Sequence, residues 1–317
     1  MSAETVVDIP ATTPAAVRSA AWQLLRLARP RQWAKNLLAV PLALIDAPAW
    51  SLPALARTGW AVLVFTLAAV LVYVGNDIAD RRLDREHPGK RHRPIAAGHV
   101  SVPLAVAFAG TVAAALTAAL LFGPDLPRWP LLSYLAINVA YSVWLKHTAP
   151  LDICVVAAGF VLRVVYGYGA AGTEPSPPLL GAVFTGCLVL ILGKRRHELT
   201  AVGPAHRPAL AGYNLALTDQ LLGLNLALTA GAFLLYLATD APLDPFREPV
   251  LLVAAPAGLF AAFRYLQGVH VHQSGGDPIR AILHDRLILA CVCVVGPLLS
   301  AALVLHHYPT LLNWMGR

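Results

Sequence analysis

Nine apolar segments, separated by shorter polar stretches, divide this sequence. Each consists mainly of Ala, Val, Leu, Ile and Phe, and each is close to the roughly 20 residues that an α-helix needs to cross the apolar core of a bilayer. The pattern predicts an all-α, polytopic membrane protein that crosses the membrane nine times. The predicted spans are residues 36–50, 58–75, 102–122, 129–145, 151–170, 178–193, 218–238, 249–266 and 287–306.

The composition agrees with this prediction. Hydrophobic residues make up 57% of the 317-residue chain, charged residues make up 13%, and the mean hydropathy is +0.63. Soluble domains carry about 25% charged residues, so the composition excludes that class. The N-terminus lacks the basic start and apolar core of a signal peptide. We expect residues 1–21 to form a disordered cytosolic tail and residues 22–317 to form one transmembrane catalytic domain.

The basic residues indicate how the chain is oriented. The net charge is +7, and 19 of the 24 Lys and Arg residues lie before the first span or beside the loops after even-numbered spans, against four on the other side. Because positive residues stay cytosolic, we expect a multi-pass protein of the inner (plasma) membrane with a cytosolic N-terminus and an extracytoplasmic C-terminus. This topology explains the positive charge, so we expect no nucleic-acid partner. The same topology places the polar loops at one cytosolic mouth.

The polar stretch after the second span contains regularly spaced aspartates. Asn76, Asp77, Asp80 and Asp84 have the form N-D-x-x-D-x-x-x-D. On a helix, spacings of three and four residues would place the three carboxylates on one face, where they repel one another unless a cation lies among them. Hard oxygen ligands of this kind suit Mg²⁺, which also binds substrate phosphates. We therefore interpret Asp77, Asp80 and Asp84 as metal ligands and catalytic residues.

A basic cluster follows the aspartates directly. Lys90, Arg91 and Arg93 have the charge and hydrogen-bonding geometry to hold phosphate groups beyond the metal. Alternatively, the stretch is a solvated loop in which neighbouring arginines pair with the aspartates. The ordered set of carboxylates followed by cations at the end of a span favours a Mg²⁺–diphosphate site.

Further candidate substrate-binding residues lie at the same predicted mouth. Arg163 falls inside the fifth span, where a permanent cation is costly and is therefore a functional candidate that could face an anion. The basic residues at the span ends could instead be orientation signals. The other candidates are Lys35 and Asn36 before or at the start of the first span, Asn76 after the second, Lys146 and Asp152 after the fourth, and Lys194, Arg195 and Glu198 after the sixth.

Several of these stretches carry a family resemblance. Together with the nine-span layout, they resemble the UbiA superfamily of intramembrane prenyltransferases, and within it the branch that transfers a 5-phosphoribosyl group. In that branch the loop after the sixth span has basic residues and a glutamate instead of a second aspartate-rich motif. The stretches are RPRQWAKN (29–36), NDIADRRLDREHPGKRHRPIAAG (76–98), LKHTAPLDICVVAAGFVLR (145–163), GKRRHEL (193–199) and HDR (284–286).

The resemblance implies a fold, a reaction and substrates. It implies a UbiA-type helical bundle that uses Mg²⁺ to transfer 5-phosphoribosyl from phosphoribosyl diphosphate to a polyprenyl phosphate such as decaprenyl phosphate. It also implies a role in making cell-wall arabinan precursors. The lipid phosphate is already an anion near neutral pH, so the reaction needs no strong general base. The length and saturation of the isoprenoid and the oligomeric state are left open.

Two other functions remain open at this point. A prenyltransferase of the same fold could move an isoprenoid from a prenyl diphosphate to an aromatic or other small acceptor, with the same metal site. Alternatively, an anion transporter could use Arg163 and the basic mouth as a path. Against the transporter, the sequence contains no repeated pair of interrupted spans.

Overall fold

The computed structural model describes residues 20–87, 89–201, 208–272, 276 and 278–311. Over these residues the fold is all-helical, with twelve α-helices and no β-strand. The predicted tail lies outside the described residues except for Ala20 and Ala21, which belong to the first helix. The helices are α1 (Ala20–Ala28), α2 (Ala34–Ala39), α3 (Leu52–Ala79), α4 (Arg81–Glu86), α5 (Val102–Phe122), α6 (Trp129–Val143), α7 (Leu151–Ala171), α8 (Pro177–Ala201), α9 (Leu215–Thr239), α10 (Arg247–His270), α11 (Pro278–His284) and α12 (Arg286–His307).

Seven helices in the described residues are long and apolar enough to cross a membrane, namely α3, α5, α7, α8, α9, α10 and α12. They correspond to seven of the nine predicted spans. The first predicted span is broken: α2 has six residues and continues as a 3₁₀ turn, Val40–Leu44. Pro41 lies in this turn, where it lacks a backbone N–H and its ring is incompatible with a regular α-helix. The fourth predicted span forms α6, which has 15 residues.

Helix α3 is longer than the sequence pattern predicts. Ser51 caps its start by accepting a hydrogen bond from the backbone N–H of Ala54 at 3.3 Å, and the helix continues to Ala79. The last turn of α3 therefore carries Asn76 and Asp77, which lie beyond the predicted end of the second span at residue 75. The aspartates do not lie on one continuous helix, because Asp80 (φ −87°, ψ 3°) separates α3 from α4.

We call α2 together with the 3₁₀ turn Val40–Leu44 the broken segment. The chain that contains it runs from one end of the bundle to the other. Before it, Arg29 pairs with Asp77 at the C-terminal end of α3. After it, Arg57 near the start of α3 donates to the carbonyl oxygen of Ala170 at 3.0 Å. Because Asp77 and Arg57 lie at opposite ends of α3, the chain between Arg29 and Arg57 passes along the whole bundle. We call the end that contains Asp77 the polar end.

Short helix α6 makes the same passage in the reverse direction. Before it, the carbonyl oxygen of Asp125 accepts a hydrogen bond from Arg57 at 3.2 Å, far from the polar end. After it, Lys146 pairs with Asp80 at 2.8 Å, at the polar end. The two segments that are too short by themselves thus connect the same two ends as the long helices.

The broken segment is held in place by α7 and α9. A Cβ atom added to Gly167 of α7 would lie 1.9 Å from the carbonyl oxygen of Val40, so only glycine permits this approach. At the opposite end from the aspartates, Asp46 accepts hydrogen bonds from the hydroxyls of Tyr168 and Tyr236, the latter at 2.5 Å. These contacts fix the broken segment against the long helices α7 and α9.

Candidate active site

Two buried carboxylates and an arginine form the centre of the polar end. Asp77 on α3 and Asp84 on α4 are 1% and 2% exposed. One guanidinium nitrogen of Arg93 donates to both, at 3.0 Å to Asp77 and 2.7 Å to Asp84. Arg29 also pairs with Asp77. Two of the three predicted metal ligands therefore face the same cation.

The third aspartate has a different partner. Asp80 at the break between α3 and α4 pairs with Lys146, and its side chain is 30% exposed. On the last turn of α3, Asn76 accepts a hydrogen bond from the hydroxyl of Ser142 on α6. The polar end of α3 is thus tied to α6 and to the segment that follows it.

The residues present fit a magnesium ion held by two carboxylates. Within the described parts of the chain, no three His, Cys, Asp or Glu side chains are close enough together to hold a metal ion. Asp77 and Asp84, however, both lie within hydrogen-bond distance of a single nitrogen of Arg93, which occupies the position of a cation between them. Mg²⁺ commonly uses one or two carboxylates and takes its remaining oxygen ligands from water and substrate phosphate. This donor set matches that chemistry.

Several cations converge on Lys35 of α2. Burial lowers the pKa of Lys35 to about 8, and repulsion by Arg163, Lys194 and Arg29 adds to the effect. The ammonium group also lies 5.8 Å from the centre of the Phe160 ring. A site with this many positive groups from separate elements favours a ligand with several negative charges.

Arg163 is enclosed by protein. It is 5% exposed and donates to Asn36 at 2.7 Å, to the Gly159 carbonyl at 2.6 Å and to the Tyr134 hydroxyl at 3.1 Å. The Phe65 and Tyr134 rings also face its guanidinium. We expected Arg163 to face an anion. In the structure its hydrogen bonds go to protein groups instead, among them the side chain of Asn36. Direct contact with substrate stays a prediction.

The start of α7 and the end of α8, which continues to Ala201 beyond the predicted end of the sixth span, form a second polar network with Tyr213. Asp152 at the start of α7 is fully buried and accepts from Arg195 at 3.0 Å and from the Tyr213 hydroxyl at 2.7 Å. Arg195 also pairs with Glu198 at 2.6 Å. The Nε atom of Arg195 is buried and has no hydrogen-bond partner among the described residues. Three predicted residues therefore meet here: Asp152 and Glu198 both pair with Arg195, whose Nε–H is left without a partner among the described residues.

The remaining predicted residues lie on the surface of the polar end. Lys90 and Arg91 are exposed on the segment after α4. The side chain of Lys194 is 59% exposed and lies 4.0 Å from Glu198. These three cations are accessible to a ligand that approaches from outside the bundle.

Comparison with known proteins identifies the family. Residues 37–284 match the model of the UbiA prenyltransferase family. The chain belongs to this family. It is therefore a transferase and an integral membrane protein, and the stretches singled out in the sequence are part of the matched region or border it.

Relatives and solved structures of the family agree over nearly the whole chain. Decaprenyl-phosphate phosphoribosyltransferase of Mycobacterium tuberculosis is 34% identical over 93% of this chain and 98% of its own length. The enzyme of that name from Corynebacterium glutamicum is 30% identical over 84% of this chain and 82% of its own. A UbiA homolog from Archaeoglobus fulgidus, solved bound to GPP and Mg²⁺, has a TM-score of 0.64 at 19% identity, covering 90% of this chain and 99% of that one.

Our interpretation of the sequence did not assign several residues of this UbiA-type site. Arg29, Ser142 and Tyr213 bond to predicted residues that are 48, 66 and 61 positions away. Nothing in the local sequence around Ser142 or Tyr213 indicates such a partner. The sequence does give an indication for Arg29, because this residue lies in the basic stretch before the first span.

Proposed function

We propose that this protein transfers a 5-phosphoribosyl group from phosphoribosyl diphosphate to a polyprenyl phosphate such as decaprenyl phosphate, releasing diphosphate. One observation carries the proposal: buried carboxylates and cations from separate elements meet at the polar end of a UbiA-type bundle. The M. tuberculosis relative, whose name states this donor group and acceptor, aligns along almost its full length. A role in making cell-wall arabinan precursors is part of the proposal.

The number of cations supports two phosphorylated substrates. A polyprenyl phosphate and phosphoribosyl diphosphate together carry four phosphate groups, which need many positive partners. A prenyltransferase that uses a prenyl diphosphate and an aromatic acceptor binds only two. The proposed substrate-binding residues are Lys35, Asn36, Asn76, Lys90, Arg91, Arg93, Lys146, Asp152, Arg163, Lys194, Arg195 and Glu198.

The residues at the polar end suit this chemistry. Asp77 and Asp84 would hold Mg²⁺, with Asp80 as the third predicted ligand, and the bound ion would neutralise charge on the diphosphate leaving group. Arg29 and Arg93 lie within reach of diphosphate oxygens next to these carboxylates. As the bond from C1 of the ribose to the diphosphate breaks, the electron pair leaves with diphosphate. An anionic oxygen of the lipid phosphate forms the new bond to C1, while the buried site limits attack by water.

The proposal includes nine spans and a cytosolic mouth. The broken segment with α2 and short α6 would be the two spans added to the seven long helices. The ion pairs of Arg29 with Asp77 and of Lys146 with Asp80 support this count, because each joins residues separated by such a passage. The basic loops support a cytosolic polar end and N-terminus with an extracytoplasmic C-terminus. Residues 22–317 would then form one catalytic domain.

A product assay tests the function. Purified protein would receive phosphoribosyl diphosphate with a labelled ribose and a polyprenyl phosphate, with and without Mg²⁺. We expect label in the lipid phase only with Mg²⁺. The variant Asp77→Asn should lose about 100-fold or more in rate, since it removes a ligand for the leaving group's metal.

Asp125→Asn is the matched control, because Asp125 is exposed at the opposite end of the bundle. It should retain activity within about twofold. Turnover of a prenyl diphosphate with an aromatic acceptor, and no labelled lipid, would replace this proposal with the alternative prenyltransferase. Full activity of Asp77→Asn would remove the proposed metal site.

A further inference from the structure

Arg93 bridges the two buried carboxylates of the proposed metal site. The side chains of Asp77 and Asp84 are 2% and 3% exposed, whereas that of Arg93 is 27% exposed. The carboxylates are therefore withdrawn from water, and their charges are balanced by guanidinium groups. Arg93 comes from the turn-rich segment between α4 and α5, so its side chain reaches the carboxylates from the solvent side.

A metal ion between these carboxylates has to take the position of Arg93. The shared nitrogen lies 3.0 Å and 2.7 Å from the two oxygens, while Mg²⁺ needs its ligands at about 2.0–2.1 Å. If Mg²⁺ entered alone, the guanidinium of Arg93 would be left beside a dication without its partners. Charges in such a poorly hydrated place repel strongly. A diphosphate changes this balance, because its oxygens bind the metal and also offer new partners to the guanidinium.

We propose that Arg93 couples metal binding to diphosphate binding. Arg93 moves from the carboxylates to the diphosphate when metal and diphosphate enter together, and it opposes binding of the metal alone. Arg29 cannot do the same, because it contacts Asp77 but not Asp84. This inference rests on the proposed function only in that the donor carries a diphosphate.

The coupling is measured by direct binding, independently of turnover. Mn²⁺ binding to the purified protein in detergent would be followed by electron paramagnetic resonance, with and without saturating inorganic pyrophosphate as the probe. For the unmodified protein we expect pyrophosphate to tighten Mn²⁺ binding by roughly 10-fold or more, within the usual range of coupling between sites. An equal affinity with and without pyrophosphate would overturn the proposal, whatever any variant does.

The variant Arg93→Gln identifies the residue responsible. It should bind Mn²⁺ alone roughly 10-fold more tightly than the unmodified protein, and pyrophosphate should then tighten Mn²⁺ binding by a factor roughly 10-fold smaller than in the unmodified protein. Arg82→Gln is the matched control, since Arg82 is an exposed arginine on α4. It should keep the full coupling. Unchanged coupling in Arg93→Gln would show that Arg93 is not the coupling residue.

These outcomes are separable from failure of the proposed function. A protein that uses a prenyl diphosphate would still show coupling between Mn²⁺ and pyrophosphate, while the labelled ribose would not reach the lipid. Conversely, labelled lipid without coupling would support the proposed reaction and overturn the role of Arg93.

Discussion

At the scale of single residues, we expect Lys35 to make donor binding depend on pH. Burial, and then the charges of Arg163, Lys194 and Arg29, lower its pKa to about 8. Below that pH Lys35 is charged and would attract an anion, and as the pH rises through 8 the charge is lost. Because a bound anion raises the pKa again, we expect the dissociation constant of phosphoribosyl diphosphate to increase roughly 10-fold from pH 7 to pH 9.

The variant Lys35→Arg is the control for this pH dependence. An arginine stays charged over the whole range, so its binding curve should be nearly flat between pH 7 and pH 9. Calorimetric titration at several pH values measures both proteins. Parallel curves for Lys35→Arg and the unmodified protein would mean that another group titrates.

Some residues of the candidate site can be recognised from a short stretch of sequence, whereas the contacts of others arise only when distant segments fold together. The aspartates and Arg93 are found from one short stretch, because their spacing and charges are visible there. The partners of Asp152 are not, since Tyr213 and Arg195 come from other segments and only folding brings them together. The enclosed position of Arg163 is likewise set by aromatic residues of other helices, such as Phe65 and Tyr134.

At the scale of secondary-structure elements, α7 depends on close contact with the broken segment. In Gly167→Ala the new methyl group would collide with the backbone at Val40, which cannot move as a flexible side chain could. Overpacking of this kind typically costs about 1–3 kcal/mol. We expect a lower thermal unfolding midpoint in detergent and weaker donor binding, because α2 carries Lys35.

Gly110→Ala provides the comparison for this variant. Gly110 is in the middle of α5, and a Cβ atom there would meet nothing within 4 Å. Replacing a glycine by alanine inside a helix normally stabilises it slightly. The unfolding midpoint should therefore stay the same or rise. Equal midpoints for both variants would mean that α7 and the broken segment can separate without cost.

The sequence predicts helices better than it predicts their ends. Apolar length located the seven long helices, since burying a continuous apolar surface in lipid requires it. It did not place the end of α3, because Asn76 and Asp77 are polar yet remain helical through their contacts at the polar end. Apolar length alone also does not place the end of α2, which gives way at Val40 to a 3₁₀ turn that contains Pro41.

At the scale of the whole molecule, the ion pairs constrain the topology more than helix length does. If only the seven long helices crossed the membrane, Asp80 and Lys146 would lie on opposite sides, since α5 alone would separate them. Their side chains are 2.8 Å apart. This ion pair therefore supports the proposal that the broken segment and α6 cross as well, with neighbouring helices satisfying the backbone groups freed at the break.

Cysteine labelling in intact cells tests this topology. Single cysteines would be placed at exposed positions in a background without the natural four: Ala49→Cys, Arg82→Cys, Asp125→Cys and Glu174→Cys. With nine spans and a cytosolic N-terminus, a membrane-impermeant maleimide should label Ala49→Cys, Asp125→Cys and Glu174→Cys, and reach Arg82→Cys only after permeabilisation. With seven spans, Glu174→Cys alone of these three would be labelled. Labelling of only Arg82→Cys would keep nine spans and invert the orientation, contrary to the distribution of basic residues.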